Sequence, residues 1–284
     1  MSKYVHLKVK DYSVSGEVFD LVRHTELEML VTSPQPSAEA LADYYKSEDY
    51  ISHTDNKRNL LEWLYHVIRS YTVKRKLHLI NSLEVQNKTL LDIGCGTGEF
   101  IAYANNKDWK VTGIEPNARA RAIAIEKIGD SVFNASHLNA IEQNTMNVVT
   151  LWHVLEHLPD LQKHIDIFSK VLVPKGYLII AVPNYKSYDA TYYGSHWAAY
   201  DVPRHLWHFS RSSIKSLFEK NGYSFVEERP MLFDAFYVSL LSEKYKHGKM
   251  NPLRAFGLGL ISNIKAWSSR EYSSLIYVFR NDNI

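Results

Sequence analysis

Three glycines spaced two apart close a short apolar run in residues 90–100, LLDIGCGTGEF. Thr89, Leu90, Leu91 and Ile93 read as a strand, Gly94, Gly96 and Gly98 as a turn, and Glu99, Phe100 and Ile101 as a helix start. That order builds a cradle for a polar ligand, because glycines let backbone N–H groups approach it with the helix end behind them. Dinucleotide sites want a glycine at the position that Glu99 holds, and Asp92 suits a ligand ammonium better than a pyrophosphate. Seventeen residues beyond Gly98, Glu115 ends a second apolar run. A carboxylate there accepts hydrogen bonds from a ribose diol and repels a 2′-phosphate. Pro116 follows it, where it would shape the edge of an adenine pocket. Cys95, inside the turn, is the one cysteine of the chain, which excludes an intrachain disulfide framework and a multi-cysteine zinc site. It reads as a small filler, not a nucleophile.

Two further groups of residues carry chemistry. Residues 151–160, LWHVLEHLPD, follow a fourth apolar run, at the sheet edge where ligands bind in doubly wound folds. His153, Glu156 and His157 spell H-x-x-E-H, a zinc-protease signature whose residues share one face of a helix. Here it stands at a strand end, not inside a long active-site helix. Residues 183–210 are rich in Tyr, Trp and His, and include Trp197, Asp201, Arg204, His205 and His208. Long ordered loops of this kind are usually functional, and aromatic walls exclude water and hold flat or sugar-like molecules. A neutral imidazole takes a proton near pH 7, which makes His205 a candidate general base with Arg204 and Asp201 as its orienting partners. The same three residues equally suit a network that pins the loop.

The elements that must position these groups follow from pattern. Residues 1–36 alternate around Ser15-Gly16 as a hairpin closed by Pro34 and Pro36, and a short helix runs over 37–45. Apolar spacing predicts a long helix over 60–79. From residue 88, strands alternate with helices: 109–114, a helix over 117–128 ended by Gly129, then strands at 131–134, 146–151 and 177–182. A helix over 211–221, a strand over 223–228, helix over 234–266 and a last strand at 274–280 complete the chain. Residues 253–260 (LRAFGLGL) read as a helix covering the sheet; two glycines and the lack of a cationic face argue against an interfacial one.

The chain has 284 residues, 45% hydrophobic and 23% charged, as in ordinary globular enzymes. A net charge of +2 gives no electrostatic case for nucleic acid. The N-terminus MSKYVHLKVK has no apolar segment behind its charges, so no signal peptide is expected. No window of about 18 apolar residues predicts a membrane span, and a cytoplasmic location is expected.

The pattern D-x-G-x-G-x-G (Asp92, Gly94, Gly96, Gly98) resembles motif I of the class I S-adenosylmethionine-dependent methyltransferases. VLEHLPD at 154–160, VLVPKGYLIIAVPN at 171–184 and W-x-x-x-D-x-P-R-H-L-x-x-F-S at 197–210 resemble the branch that holds the ubiquinone-biosynthesis O-methyltransferases and many uncharacterised relatives. The resemblance implies an α/β fold: a Rossmann-like seven-stranded, mostly parallel sheet whose last strand inserts antiparallel between the fifth and sixth. Residues 1–80 would be an N-terminal hairpin and helical cap, and 81–284 the methyltransferase domain, with 183–210 closing over the acceptor. It implies S-adenosylmethionine as cofactor and S-adenosylhomocysteine as product. Asp92, Gly94, Cys95, Gly96 and Gly98 would hold the homocysteine end, Glu115 the ribose, and Trp152 and His153 the sulfonium side. Tyr50, near His53, would belong to an N-terminal lid over the cofactor.

Some relatives carry Glu-x-x-Glu-His for a divalent metal; His153 replaces the first acid here, so Glu156 and His157 are expected in structural hydrogen bonds and no metal is expected. Many relatives also carry N-terminal cysteine pairs, which the first thirty residues here lack. The expected activity is methyl transfer to an oxygen or nitrogen of a small-molecule or sugar-type acceptor. A non-catalytic S-adenosylmethionine-binding or interaction module is the rival reading, and an NAD-dependent oxidoreductase is disfavoured by Glu99.

Overall fold

The computed structural model describes residues 4–45 and 60–283; Tyr50 and His53 lie outside the described residues. Strands β1 (Val5–Lys10), β2 (Val18–Arg23), β3 (Leu30–Ser33), β4 (Thr89–Ile93), β5 (Lys110–Ile114), β6 (Val132–Phe133), β7 (Met146–Trp152), β8 (Leu172–Pro183), β9 (Trp207–His208), β10 (Tyr223–Pro230) and β11 (Ser274–Asn281) form two sheets. The larger has the order β10-β11-β8-β7-β4-β5-β6. β4 through β8 pair parallel, and β11 runs antiparallel between β8 and β10, as the resemblance implied.

Both faces of this sheet are covered, which is why its central strands are continuously apolar. Successive residues alternate between two cores. Leu90, Val148, Ile179 and Val278 pack with helices Leu60–Asn81, Glu99–Asn105 and Ala118–Ile128. Leu91, Val149, Ile180 and Phe279 pack with helices Leu161–Val171 and Arg211–Glu219. Parallel pairing sets Ile93 opposite both Ile114 and Leu151, so β4, β5 and β7 end side by side. Asp92, Glu115 and the 153–157 turn therefore meet at one sheet edge.

The N-terminal segment departs from the expected hairpin. β1, β2 and β3 form an antiparallel meander, and β9, from the aromatic segment, pairs with β3 through Leu30↔His208 and Val31↔Trp207. A two-residue strand has too little periodicity to be read from sequence. The short helix expected over 37–45 is α-helical only over Ala38–Leu41 and then tightens to a 3₁₀ turn.

Residues 183–210 are more regular than an aperiodic loop. They contain helix Tyr188–Tyr193, two 3₁₀ turns and β9. The buried Asp189 carboxylate organises them, accepting from Trp197 Nε1 at 2.8 Å, Ser262 Oγ at 2.7 Å and Ser273 Oγ at 2.6 Å. Trp197 is thus a core anchor packed with Tyr193 and Tyr200, not an open wall.

The helix expected over 234–266 is two helices, Asp234–His247 and Pro252–Ser269, broken at Gly248 with φ 74°. The second buries Ala255, Leu258, Gly259, Ser262, Asn263 and Ala266, while Leu253, Phe256, Leu260 and Trp267 are exposed. Its apolar residues do not all cover the sheet, contrary to expectation. No described helix is long and apolar enough to cross a membrane.

Candidate active site

The turn after β4 needs glycine for two distinct reasons. Gly94, Gly96 and Gly98 all have left-handed φ, at 71°, 57° and 78°, which costs an L-residue about 1–2 kcal/mol. A Cβ on Gly94 would stand 2.4 Å from Val154 Cγ2, and one on Gly98 2.9 Å from Ala124 Cβ, so these two permit close packing. A Cβ on Gly96 would meet nothing within 4 Å. Of the three, only Gly96 faces open space.

Loop donors are already committed. Gly94 N–H and Cys95 N–H both donate to Ile114 O, at 2.7 and 3.1 Å. Gly96 N–H donates to Glu115 Oε2 at 2.8 Å, and Asn117 N–H donates to Glu115 Oε1 at 2.8 Å. The nearly buried Glu115 carboxyl is raised by burial, against these two donors. The Cys95 thiol is pushed far up by burial and the acids around it, so it stays protonated. Pro116 lends its carbonyl to Arg121 Nη1 at 3.0 Å.

Asp92 is buried, and strand register puts it beside Thr150, whose hydroxyl donates to it at 2.5 Å. Burial lifts its carboxyl to about 7, against the Thr150 hydrogen bond and the charge of Lys76. Lys76 Nζ lies 4.3 Å from the Trp152 ring centroid, and burial lowers it to about 8 despite the attraction of Asp92 and Asp234. The Trp152 indole N–H is buried with no hydrogen-bond partner among the described residues, and its ring meets Phe100 edge-on. An acid near neutrality, a nearby ammonium and an orphaned indole N–H surround one end of the bare glycine turn.

The H-x-x-E-H residues do not form a helical face. His153 has φ 57°, and only Leu155–His157 form a 3₁₀ turn. His153 turns to Asp234, Nε2 to Oδ2 3.0 Å, and its Nδ1 lies 3.4 Å from Glu156 Oε1. Burial works against the charge on His153, but these two carboxylates outweigh it and raise the imidazole to about 10. Both ring nitrogens of His153 thus face carboxylates, which favour its protonated form.

His205 takes the place beside Glu156 instead. A ligand atom from each of Glu156, His157 and His205 lies within 4.8 Å of the others. Glu156 is 1% exposed, and neither carboxylate oxygen has a hydrogen-bond partner among the described residues, despite the nearby His153. Burial alone would raise its carboxyl; His153, His205 and His157 hold it below its ordinary value. His205 Nδ1–H donates to Ala199 O at 2.8 Å, and His157 Nδ1 lies 3.1 Å from Arg204 O and 2.9 Å from the Tyr45 hydroxyl. The Ala199 bond fixes the His205 proton on Nδ1 and turns its Nε2 away from that contact. Burial lowers His157 to about 4, so it is neutral. One carboxylate and two imidazole nitrogens form a competent donor set for zinc-like cations, and equally a polar pocket for an acceptor hydroxyl.

Asp201 and Arg204 hold the backbone of His205. Arg204 makes two bonds to Asp201, Nε to Oδ2 2.9 Å and Nη2 to Oδ1 2.6 Å, and reaches Asp11 Oδ1 at 3.3 Å and Tyr44 O at 3.2 Å. Against their burial, the Ser15 and Ser13 backbone N–H groups and then Arg204 lower the Asp11 carboxyl, Arg204 lowers that of Asp201, and Asp201 and Asp11 raise the guanidinium in turn. Asp201 O accepts from His205 N–H at 3.0 Å, Thr32 Oγ1 donates to His205 O at 2.6 Å, and Leu206 N–H donates to Glu156 O at 2.8 Å. The strands β3 and β9 thereby clamp the backbone of His205. Sequence reading missed Lys76, Thr150, Asp234 and Asp11; of these only Thr150, two residues before Trp152 in the fourth strand, carried any local signal.

A family model described as a methyltransferase domain matches residues 63–228. The chain is 30% identical over 130 residues to a ubiquinone biosynthesis O-methyltransferase of Hydrogenovibrio crunogenus, covering 39% of this chain and 54% of that protein. It is 30% identical over 156 residues to an uncharacterized methyltransferase of Bacillus cytotoxicus, covering 49% of this chain and 73% of that one. The chain thus spans about half the length of the ubiquinone biosynthesis enzymes it matches first. Among solved structures, phosphoethanolamine N-methyltransferase 2 of Haemonchus contortus shares the fold, with TM-score 0.56, 15% identity, and coverage of 89% of this chain and 63% of that one. That structure holds S-adenosylhomocysteine and phosphomonomethylethanolamine.

Proposed function

The chain belongs to the class I S-adenosylmethionine-dependent methyltransferases, and we propose that it moves a methyl group to an oxygen or nitrogen of a small-molecule or sugar-type acceptor. The observation that carries this reading is the bare surface at Gly96 between two buried carboxylates, Asp92 and Glu115. The residues present fit the cofactor. Gly96 leaves room for it, Glu115 offers acceptors to a ribose diol, Asp92 an anion to an ammonium, and Trp152 an unpartnered indole N–H. When bound, S-adenosylmethionine supplies an electrophilic methyl group on a sulfonium.

The chain's own part is positioning and proton removal. His205 takes the acceptor's proton at Nε2, whose lone pair the Nδ1–H···Ala199 bond leaves free. Asp201 and Arg204 fix its loop, and His153, neutralised by Asp234 and Glu156, adds no net positive charge beside the sulfonium side. Titration calorimetry with S-adenosylhomocysteine tests the cofactor site: saturable binding weakened by Glu115→Ala supports it, and no binding overturns it. His205→Ala should keep that affinity and abolish turnover on any acceptor found by screening.

A second reading is favoured by the buried Glu156 carboxylate, which lies 3.4 Å from His153 Nδ1 but accepts no hydrogen bond from a described residue. Glu156, His157 and His205 would hold a divalent cation, which supplies Lewis acidity to an acceptor oxygen, and His205 would then be a ligand, not a base. Equilibrium dialysis against Zn²⁺ and Mn²⁺ separates the two. Stoichiometric binding lost in Glu156→Gln and His205→Ala supports the cation, and no binding leaves His205 as the base.

A further inference from the structure

Glu156 is a buried carboxylate that lies 3.4 Å from His153 Nδ1, yet neither of its oxygens accepts a hydrogen bond from a described residue. Buried polar atoms are nearly always satisfied, so a carboxylate left in this state calls for a ligand, an ion or a catalytic task. His157 and His205 stand beside it, and one ligand atom from each of the three residues lies within 4.8 Å of the others.

Charge identifies what fits there. His153 stands between two carboxylates, Asp234 and Glu156, and Arg204 between Asp201 and Asp11. Each triad sets one cation against two anions and keeps one negative charge. Asp201 Oδ2 also lies 4.0 Å from His205 Nε2. Lys76 adds a cation on the cofactor side, where Asp92 opposes it. This surplus selects among acceptors. An alcohol donates one hydrogen bond and leaves the charge in place, and a phosphate or carboxylate adds to it. An ammonium group brings a positive charge and up to three N–H donors, one each for Glu156, His157 and His205. Atoms up to 4.8 Å apart can share a centre about 2.8 Å from each, which is a hydrogen-bond length. Zinc holds such ligands closer, at about 2.0–2.2 Å.

We propose that the acceptor is an aliphatic amine, bound as its ammonium ion on Glu156 between His157 and His205. The proposal rests on the methyltransferase reading above and narrows the acceptor atom to nitrogen. One N–H proton passes to His205 Nε2, and a turn about the amine's own C–N bond brings the freed lone pair to the methyl carbon. The new C–N bond forms as the carbon–sulfur bond breaks, and that electron pair stays on sulfur to give S-adenosylhomocysteine. The product is an N-methylammonium ion that Glu156 still pairs, and the proton on His205 leaves to solvent.

The test uses the full chain loaded with S-adenosylhomocysteine and probes paired by shape, benzylamine with benzyl alcohol and cyclohexylamine with cyclohexanol, titrated by ligand-observed NMR. Each amine is expected to bind about tenfold or more tightly than its alcohol. Glu156→Gln should erase that preference while holding S-adenosylhomocysteine within about twofold of the wild-type affinity, which also verifies that the variant folds. With S-adenosylmethionine in place of the product, mass spectrometry should find the N-methylated amine and no methyl ether. Amines that bind no better than alcohols, a preference that Glu156→Gln leaves intact, or a methyl ether in place of the N-methylated amine overturns the proposal. Stoichiometric Zn²⁺ that expels the amine would give the site to a metal and overturn it as well. Failure to bind S-adenosylhomocysteine would strike the cofactor site on which the proposal rests, a result read separately from the amine preference.

Discussion

His153 Nε2 stands 3.0 Å from Asp234 Oδ2, joining the end of β7 to the first turn of a helix eighty residues later. This pair ties the residues beside the glycine turn to that helix and, through Glu156, to His157 and His205. It also sets the charge of the site. His153 is raised to about 10 in the folded chain from an ordinary value of 6.5. Its contribution to stability is fully present below pH 6.5 and is lost as pH rises through 10. Melting temperatures measured from pH 6 to 10 should fall, and Asp234→Asn should lower stability at pH 7 while flattening the decline. An undiminished slope in the variant would mean that His153 does not carry this charge.

Asp92 gives the opposite kind of pH dependence. Its carboxyl is raised to about 7, so the folded chain holds a proton that the unfolded chain releases, and this group's contribution falls as pH rises from about 4 to 7. A ligand ammonium favours the ionised form. Affinity for S-adenosylhomocysteine should therefore increase as pH rises through 7, with proton release that calorimetry detects in buffers of different ionisation enthalpy. Asp92→Asn should weaken binding about 10- to 100-fold at pH 8 and remove the pH dependence.

Gly96 and Gly94 separate ligand binding from folding. Gly96→Ala has space for its methyl group and should cost only the left-handed backbone penalty, about 1–2 kcal/mol, while lowering cofactor affinity at least tenfold. Gly94→Ala adds a clash with Val154 and should destabilise by about 2–4 kcal/mol in urea unfolding. Equal affinity in wild type and Gly96→Ala would remove the glycine turn from the cofactor site.

Arg204 and His205 should behave differently although they are adjacent. Arg204→Ala leaves Asp11 without its buried cationic partner and Asp201 without its bidentate one, an expected cost of about 3 kcal/mol in chemical denaturation. Arg204→Lys should recover little of it, because a lysine cannot reproduce the two-pronged contact with Asp201. His205→Ala should cost less in stability and more in turnover. If Arg204→Ala left stability intact and removed activity alone, Arg204 would act on the acceptor instead of on the loop.

The strand, glycine turn and helix around Gly96 were legible in the amino-acid sequence because their determinants are local. A left-handed backbone at three alternate positions demands glycine there, an apolar run buried on both faces reads as a central strand, and Glu115 follows one crossover later. The order of the sheet came from the resemblance, and the hydrogen-bonded strand pairing bears it out. Tertiary structure decided the rest of the candidate site. Asp92 meets Thr150 through the register of β4 on β7, and Lys76 reaches Trp152 from a helix that precedes the whole sheet. Three residues spelled a helical metal signature, yet the left-handed backbone at His153 and the carboxylate of Asp234 take that histidine away, and His205 arrives from another segment to replace it. Such contacts depend on how distant elements pack, and the spacing of residues along the chain carries no record of that distance.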